Sequence, residues 1–182
     1  MAVIETALAQ CAQVIVLSYS VPEFAGCEAS RRERWLRTLF PRATILVVDD
    51  VHMPPNHAPD DVHRLFCARL LRDRLHSTVD AVFTSEDYGD GLASTLSAQL
   101  GSAVMHVCVD RARAGVPISG TQLRADVHTY RTFLHPEVYS DFVGRVCFLG
   151  AESSGKSTLA TALAAEFDTT HAPEFGRELS EA

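Results

Sequence analysis

The chain has 182 residues, 47% of them hydrophobic and 21% charged, with a formal net charge of −7. Such a balance belongs to a folded protein with a sizeable core, and the acidic surplus argues against general nucleic-acid binding, which depends on clustered cations displacing counterions. No apolar run reaches the roughly 18–20 residues that span a bilayer, and the opening Met1-Ala2-Val3-Ile4-Glu5-Thr6 lacks the basic start of a secretion signal. A cytoplasmic protein without a membrane or nucleic-acid partner is expected, with homo-oligomerisation left open. Cys11, Cys27, Cys67, Cys108 and Cys147 form no C-x-x-C pair. They read as buried, reduced thiols rather than as a disulfide or zinc framework.

In chain order, Val3, Ile4, Ala7, Leu8 and Cys11 mark one helical face, and Val14-Ile15-Val16-Leu17 reads as a buried strand. Arg31 to Phe40 is helical, with Trp35, Leu36, Leu39 and Phe40 on the packed side, and Pro41 ends it. Thr44 to Val48 is the next strand, and a loop with Pro54, Pro55 and Pro59 leads to a helix from about Asp60 to His76. Ala81-Val82-Phe83 is a strand, Leu92 to Leu100 a helix and Val104 to Val109 a strand. Helices alternating with continuously apolar strands predict an α/β fold whose parallel sheet is covered on both faces. Ligands then gather at the carboxyl ends of the strands, which points to Ser18 to Ser20, Asp49-Asp50, Thr84-Ser85-Glu86 and Asp110-Arg111. A boundary is expected near His135 to Phe142, dividing the chain into 1–142 and 143–182, and Arg145 to Leu149 is expected to begin a new buried strand.

Gly150-Ala151-Glu152-Ser153-Ser154-Gly155-Lys156-Ser157 satisfies G-x-x-x-x-G-K-[ST] without a mismatch. Glycines at its ends let successive N–H groups turn inward on phosphate oxygens, and the following helix adds its unpaired amides and partial positive charge. Leu159, Leu163 and Phe167 supply the apolar stripe of that helix. Lys156 is placed to neutralise the β- and γ-phosphates of ATP, and the Ser157 hydroxyl to coordinate Mg²⁺. Gly150, Ser153, Ser154, Gly155 and Thr158 complete the expected cradle. Further on, Glu174 in Ala172-Pro173-Glu174-Phe175-Gly176-Arg177-Glu178 reads either as the end of a second strand facing a substrate hydroxyl or as part of a solvated charge cluster.

A second anion site is suggested by Val116-Pro117-Ile118-Ser119-Gly120-Thr121-Gln122-Leu123-Arg124, which follows a strand and a basic loop with Arg111 and Arg113. Ser119 is a good N-cap, Thr121 lies in the first turn, and Arg124 reaches an anion held there. A capped helix start with a surface arginine explains the same residues.

Ile118-Ser119-Gly120-Thr121-Gln122-Leu123-Arg124 resembles the I-S-x-T-x-x-R motif of nucleotidylyltransferases. Followed by the Gly-Ala-Glu-Ser-Ser-Gly-Lys-Ser-Thr loop and Glu174-Phe175-Gly176-Arg177-Glu178, it is similar to the NadR-type bifunctional nicotinamide-nucleotide adenylyltransferase and ribosylnicotinamide kinase family. Thr84-Ser85-Glu86-Asp87-Tyr88-Gly89 and the short connector Phe133-Leu134-His135-Pro136 agree. The resemblance implies a doubly wound, parallel-sheet nucleotidylyltransferase-like domain followed by the start of a P-loop kinase domain. It also implies two reactions: AMP transfer from ATP to nicotinamide mononucleotide, and phosphate transfer from ATP to ribosylnicotinamide. By position, Ser119, Gly120, Thr121 and Arg124 hold ATP for the first. Gly155, Lys156, Ser157 and Thr158 hold it for the second, with Glu174 near the nucleoside, and Arg124, Lys156 and Glu174 are the expected catalytic residues. The family's first strand and its G-x-[FY]-x-P-x-H-x-G-H loop have no match here, so the expectation is a member trimmed at both ends, short of a central strand and marginally stable in its front half. The rival readings are a phosphate-loop ATPase or kinase with a non-catalytic front domain, and a nucleotide-sensing module without turnover.

Other candidates carry less. His52, His57 and His63 with Asp60-Asp61 flank a proline-rich loop rather than a metal-ligand turn. Arg31, Arg32, Arg34 and Arg37 read as a solvated helix face, and Trp35 as core.

Overall fold

The computed structural model describes residues 2–49, 52–112 and 114–173. Two compact units divide the chain, Met1–Phe142 and Val143–Ala182.

In the first unit, α1 (Ala2–Gln10) leads into β1 (Ile15–Ser18), followed by α2 (Ala29–Leu39), β2 (Thr44–Val47) and α3 (Asp60–Arg69). A π turn at Leu70–Arg74 extends α3. β3 (Ala81–Thr84), α4 (Tyr88–Leu100), β4 (Met105–Cys108), the short α5 (Gly120–Ala125) and α6 (Pro136–Tyr139) follow. The alternation is that expected, with α4 starting four residues earlier than the apolar spacing suggests. Gly101, at φ 71°, closes α4 in the left-handed conformation that costs glycine little, and its N–H reaches the Ser97 carbonyl. The connector before residue 142 is ordered by α6, where Pro136 takes the first helical position and the His135 ring accepts the Glu137 N–H.

Strand pairing is parallel throughout. Ile15 to Ser18 lie opposite Thr44 to Val47, and Ala81 to Thr84 opposite Met105 to Cys108. Among the described residues these are two separate two-stranded ladders rather than one continuous sheet. One core nevertheless joins them: Ala68, Leu71, Leu92 and Leu96 from α3, its π turn and α4 pack with Ile15 and Leu17 of β1 and Val82 of β3. Trp35, Phe40, Ile45 and Val48 are also buried. Leu96 and Val48 are almost wholly withdrawn from water, and the larger Trp35 and Phe40 add more apolar area to the burial that stabilises this unit.

The second unit contains α7 (Lys156–Glu166) and the loop before it. Residues 145–149, expected as a buried strand, form none, and Val146 and Leu149 are 80% and 89% exposed. An apolar run becomes a strand only where a ladder partner takes its amides and carbonyls; among the described residues none lies alongside. The expected stripe of α7 is only partly covered, since Leu159 and Phe167 are exposed, Leu163 is half-buried and Ala164 is its buried residue. All five cysteines are free; Cys11, Cys27 and Cys67 are half-buried, Cys67 against the core, while Cys108 and Cys147 are open to solvent. No helix among the described residues is long and apolar enough to cross a membrane.

Candidate functional site

The loop Gly150–Gly155 turns into α7 through two left-handed residues, Ser153 at φ 57° and Gly155 at φ 83°. Alternation of this kind makes a concave nest of amides, the backbone form that binds phosphate. No side chain caps α7, so the first-turn amides at Lys156, Ser157 and Thr158 are not taken by an N-cap group. The Lys156 Nζ donates to the Ala151 carbonyl at 2.6 Å, and the Ser154 hydroxyl donates to the same oxygen at 2.7 Å. Lys156 is thereby folded back over the loop. Gly150 allows the closure, because a Cβ there would lie 3.0 Å from the Ser154 hydroxyl. Ser153, Ser154, Gly155, Ser157 and Thr158 are all exposed. Magnesium takes six oxygens; Ser157 offers one, at the helix start, leaving phosphates and water to supply others. Glu174 lies outside the described residues.

In the first unit the carboxyl ends of β3 and β4 face a cavity of about 200 Å³ lined by Val3, Ser85, Glu86, Val109, Ile118 and Gly120, together with Ala2, Asp110 and Val116. Its lining is mixed, with Val3, Val109, Val116 and Ile118 on the apolar side and Ser85, Glu86 and Asp110 on the polar side. Asp110, at φ 51°, curls the next loop around its own carboxylate, which accepts the N–H groups of Ala114, Gly115 and Val116. The amide of Gly115, joined by those of Val116 and Ala114, holds the Asp110 carboxyl below its ordinary range. Asp110 is thus a staple for the loop leading to α5. Arg111 pairs with Asp87 at 2.8 Å, and Asp50 and Arg113 lie outside the described residues.

At α5, Ser119 forms a capping box: its hydroxyl accepts the Gln122 N–H, and the Gln122 side chain accepts the Ser119 N–H. Gly120 and Thr121 keep the first-turn amides. Arg124 curls back to this turn, its guanidinium 3.5 Å from the Thr121 hydroxyl and close against Gly120. One face of that guanidinium lies 4.0 Å over the Phe24 ring, an attraction worth about 0.5–1 kcal/mol at an exposed site. The structure therefore gathers Ser119, Gly120, Thr121 and Arg124 in a single turn beside the cavity.

The remaining candidates serve the scaffold. Arg31 pairs with Glu28, Arg32 with Glu23, Arg34 with Asp141 and Arg37 with Glu33. The arginine face of α2 is consequently ion-paired rather than simply solvated. Trp35 is core, as expected, and its indole N–H donates to Asp141 at 2.6 Å. His63 lies 3.0 Å from the Tyr19 hydroxyl; burial, with Cys67 beside it, pushes that phenol above its usual range. Sequence reasoning passed over several anchors. Asn56 ties the loop after β2 to Ser20, Val21 and Pro22 after β1, and His106 joins Thr84 to Asp90. Gln122 was legible from the Ser-x-x-Gln spacing; nothing local announces the other two.

This geometry defines a phosphate-loop nucleotide-binding protein with an α/β front unit. A family model described as an AAA domain matches residues 145–182, the stretch that holds the loop and α7. The chain is NadR-like: it is 41% identical over 99 residues to the trifunctional NAD biosynthesis/regulator protein NadR of Escherichia coli (strain K12), covering 54% of this chain and 23% of that protein. It is 47% identical over 72 residues to the protein of the same name from Salmonella typhimurium, covering 40% of this chain and 18% of that one. The matched stretch thus spans a quarter or less of these relatives.

Proposed function

We propose that the chain is part of an ATP-dependent enzyme of NAD biosynthesis, with residues 1–142 a nucleotidylyltransferase-like domain and residues 143–182 the start of a P-loop nucleoside kinase domain. The observation that carries this reading is the presence in one NadR-like chain of two candidate anion turns, Gly150–Thr158 and Ser119–Arg124, the second beside a cavity of mixed lining. The two parallel ladders are taken as halves of one doubly wound sheet, since Leu17 and Val82 share a core.

In the first reaction a phosphate oxygen of nicotinamide mononucleotide attacks the α-phosphorus of ATP, and pyrophosphate leaves. The Gly120 and Thr121 amides and the Arg124 guanidinium hold the departing phosphates, and the cavity receives the adenine side. In the second, a ribosylnicotinamide hydroxyl attacks the γ-phosphorus and ADP leaves. Lys156, released from the Ala151 carbonyl, neutralises the γ-phosphate, and Glu174 takes the hydroxyl proton. Mg²⁺ supplies charge neutralisation between the phosphates when bound at Ser157. Both reactions work by positioning and by stabilising charge on phosphate oxygens.

The test is titration with a non-hydrolysable ATP analogue and Mg²⁺. Two binding events are expected, one removed by Lys156→Ala and the other by Arg124→Ala. A second reading, nucleotide sensing without turnover, is favoured by the word regulator in the names of both relatives. Tight NAD binding with no product from ATP and either nicotinamide substrate would select it.

A further inference from the structure

We infer that His106 is a positioning residue that locks the Ser85–Glu86 wall of the front cavity, and that nucleotide affinity there depends on its Nε2 atom. The inference rests on the proposed reading of that cavity as the ATP site of the first unit. His106 lies in β4 with a buried side chain. Its Nδ1 is 2.7 Å from the Asp90 carboxylate on α4, and its Nε2 is 2.8 Å from the Thr84 hydroxyl at the end of β3. Thr84 is itself buried. Its hydroxyl accepts the Glu86 N–H at 3.3 Å and lies 2.8 Å from the Glu86 carbonyl, so its one proton goes to that carbonyl or to the imidazole according to which ring nitrogen carries hydrogen. Four groups from three elements thus form one line, Asp90 to His106 to Thr84 to the Glu86 backbone, and the line ends at the cavity wall.

The fold makes room for this line. Gly89, at the start of α4, sits against the imidazole so closely that a Cβ would lie 2.1 Å from Nε2. Any side chain at residue 89 must displace the ring. A buried polar relay of this kind rigidifies what it touches when every member is satisfied, and loosens it when one link is cut. Asp90 is exposed and fixes the ring from the solvent side. Thr84 transmits that orientation to the Glu86 backbone, which it holds through both its carbonyl and its N–H.

The two ring nitrogens can be separated by substitution. His106→Asn keeps a group near Nδ1 but falls short of Thr84; His106→Gln reaches toward Thr84 with its amide. Amide hydrogen exchange over residues 84–87 reads the wall directly and needs no ligand. His106→Asn and Gly89→Ala should each speed that exchange about tenfold, the loss of one or two buried hydrogen bonds, while His106→Gln stays close to the parent. Thr84→Val, which keeps the shape without the hydroxyl, should speed it likewise, and Thr84→Ser should not. Unchanged protection at Leu92 to Leu96 confirms that α4 remains folded in each variant. In a Lys156→Ala background, ATP affinity should fall about fivefold to tenfold with His106→Asn and recover with His106→Gln. Equal exchange in the Asn and Gln variants overturns the role of Nε2. Normal positioning by exchange with no ATP binding even in the Lys156→Ala parent overturns the assigned ligand instead, and with it the reading of the front cavity.

Discussion

The two units hold their proposed phosphate turns by different means. In the first, Arg124 is fixed by a ring from a distant loop, Phe24, and the cavity beside it is walled by residues from α1 and the ends of β3 and β4. In the second, the loop is shaped by its own atoms: left-handed Ser153 and Gly155, and two side chains converging on the Ala151 carbonyl. A phosphate loop is a local device that forms wherever its glycines and helix start are present. A cavity requires tertiary packing, so the front site is the one that stability controls.

The sharpest way to break this contrast is Leu96→Ala. Leu96 is buried in the shared core, so its truncation should cost about 3 kcal/mol, lower the denaturation midpoint of the front unit and weaken binding at Arg124. Phe167→Ala, at an exposed position, should change stability by no more than about 0.5 kcal/mol. Equal losses in denaturant melts would remove the distinction. Next in size, Lys156→Ala should lower nucleotide affinity at the loop about a hundredfold, the worth of two charge-assisted hydrogen bonds and enough to take that site out of the titration, with no change in melting. Ser119→Ala should destabilise α5 by about 1 kcal/mol through loss of the cap, visible as faster amide exchange at Gln122.

The smallest effect is acidic. Because backbone amides lower the Asp110 carboxyl in the folded chain, its contribution is present above the ordinary carboxylate range and is lost as pH falls through the folded value. Exchange at Gly115 and Val116, corrected for intrinsic rate, should therefore accelerate only below about pH 4. Acceleration near neutral pH would show that some other group holds the loop.

Much of this was legible in the sequence because it is local. The phosphate loop, the Ser119 cap and the helix–strand alternation each follow from residues within a few positions of one another. Arg145 to Leu149 misled for the same reason: Val146, Phe148 and Leu149 read as strand whether or not a partner exists, and pairing is not written in the run itself. Phe24 under Arg124, Asp141 on Trp35 and the Thr84–His106–Asp90 line join residues far apart in the chain. Such pairs are chosen by packing, and no spacing rule reveals them. The arginines of α2 looked solvated because Glu23 and Asp141, which neutralise two of them, lie off the helix.

The central claim is that one chain offers polyphosphate two independent berths. It is tested most directly by measuring the stoichiometry of a non-hydrolysable ATP analogue on the parent chain, on Lys156→Ala, on Arg124→Ala and on the double variant. Two, one, one and none are the values this account predicts. Binding that survives undiminished in the double variant would contradict it.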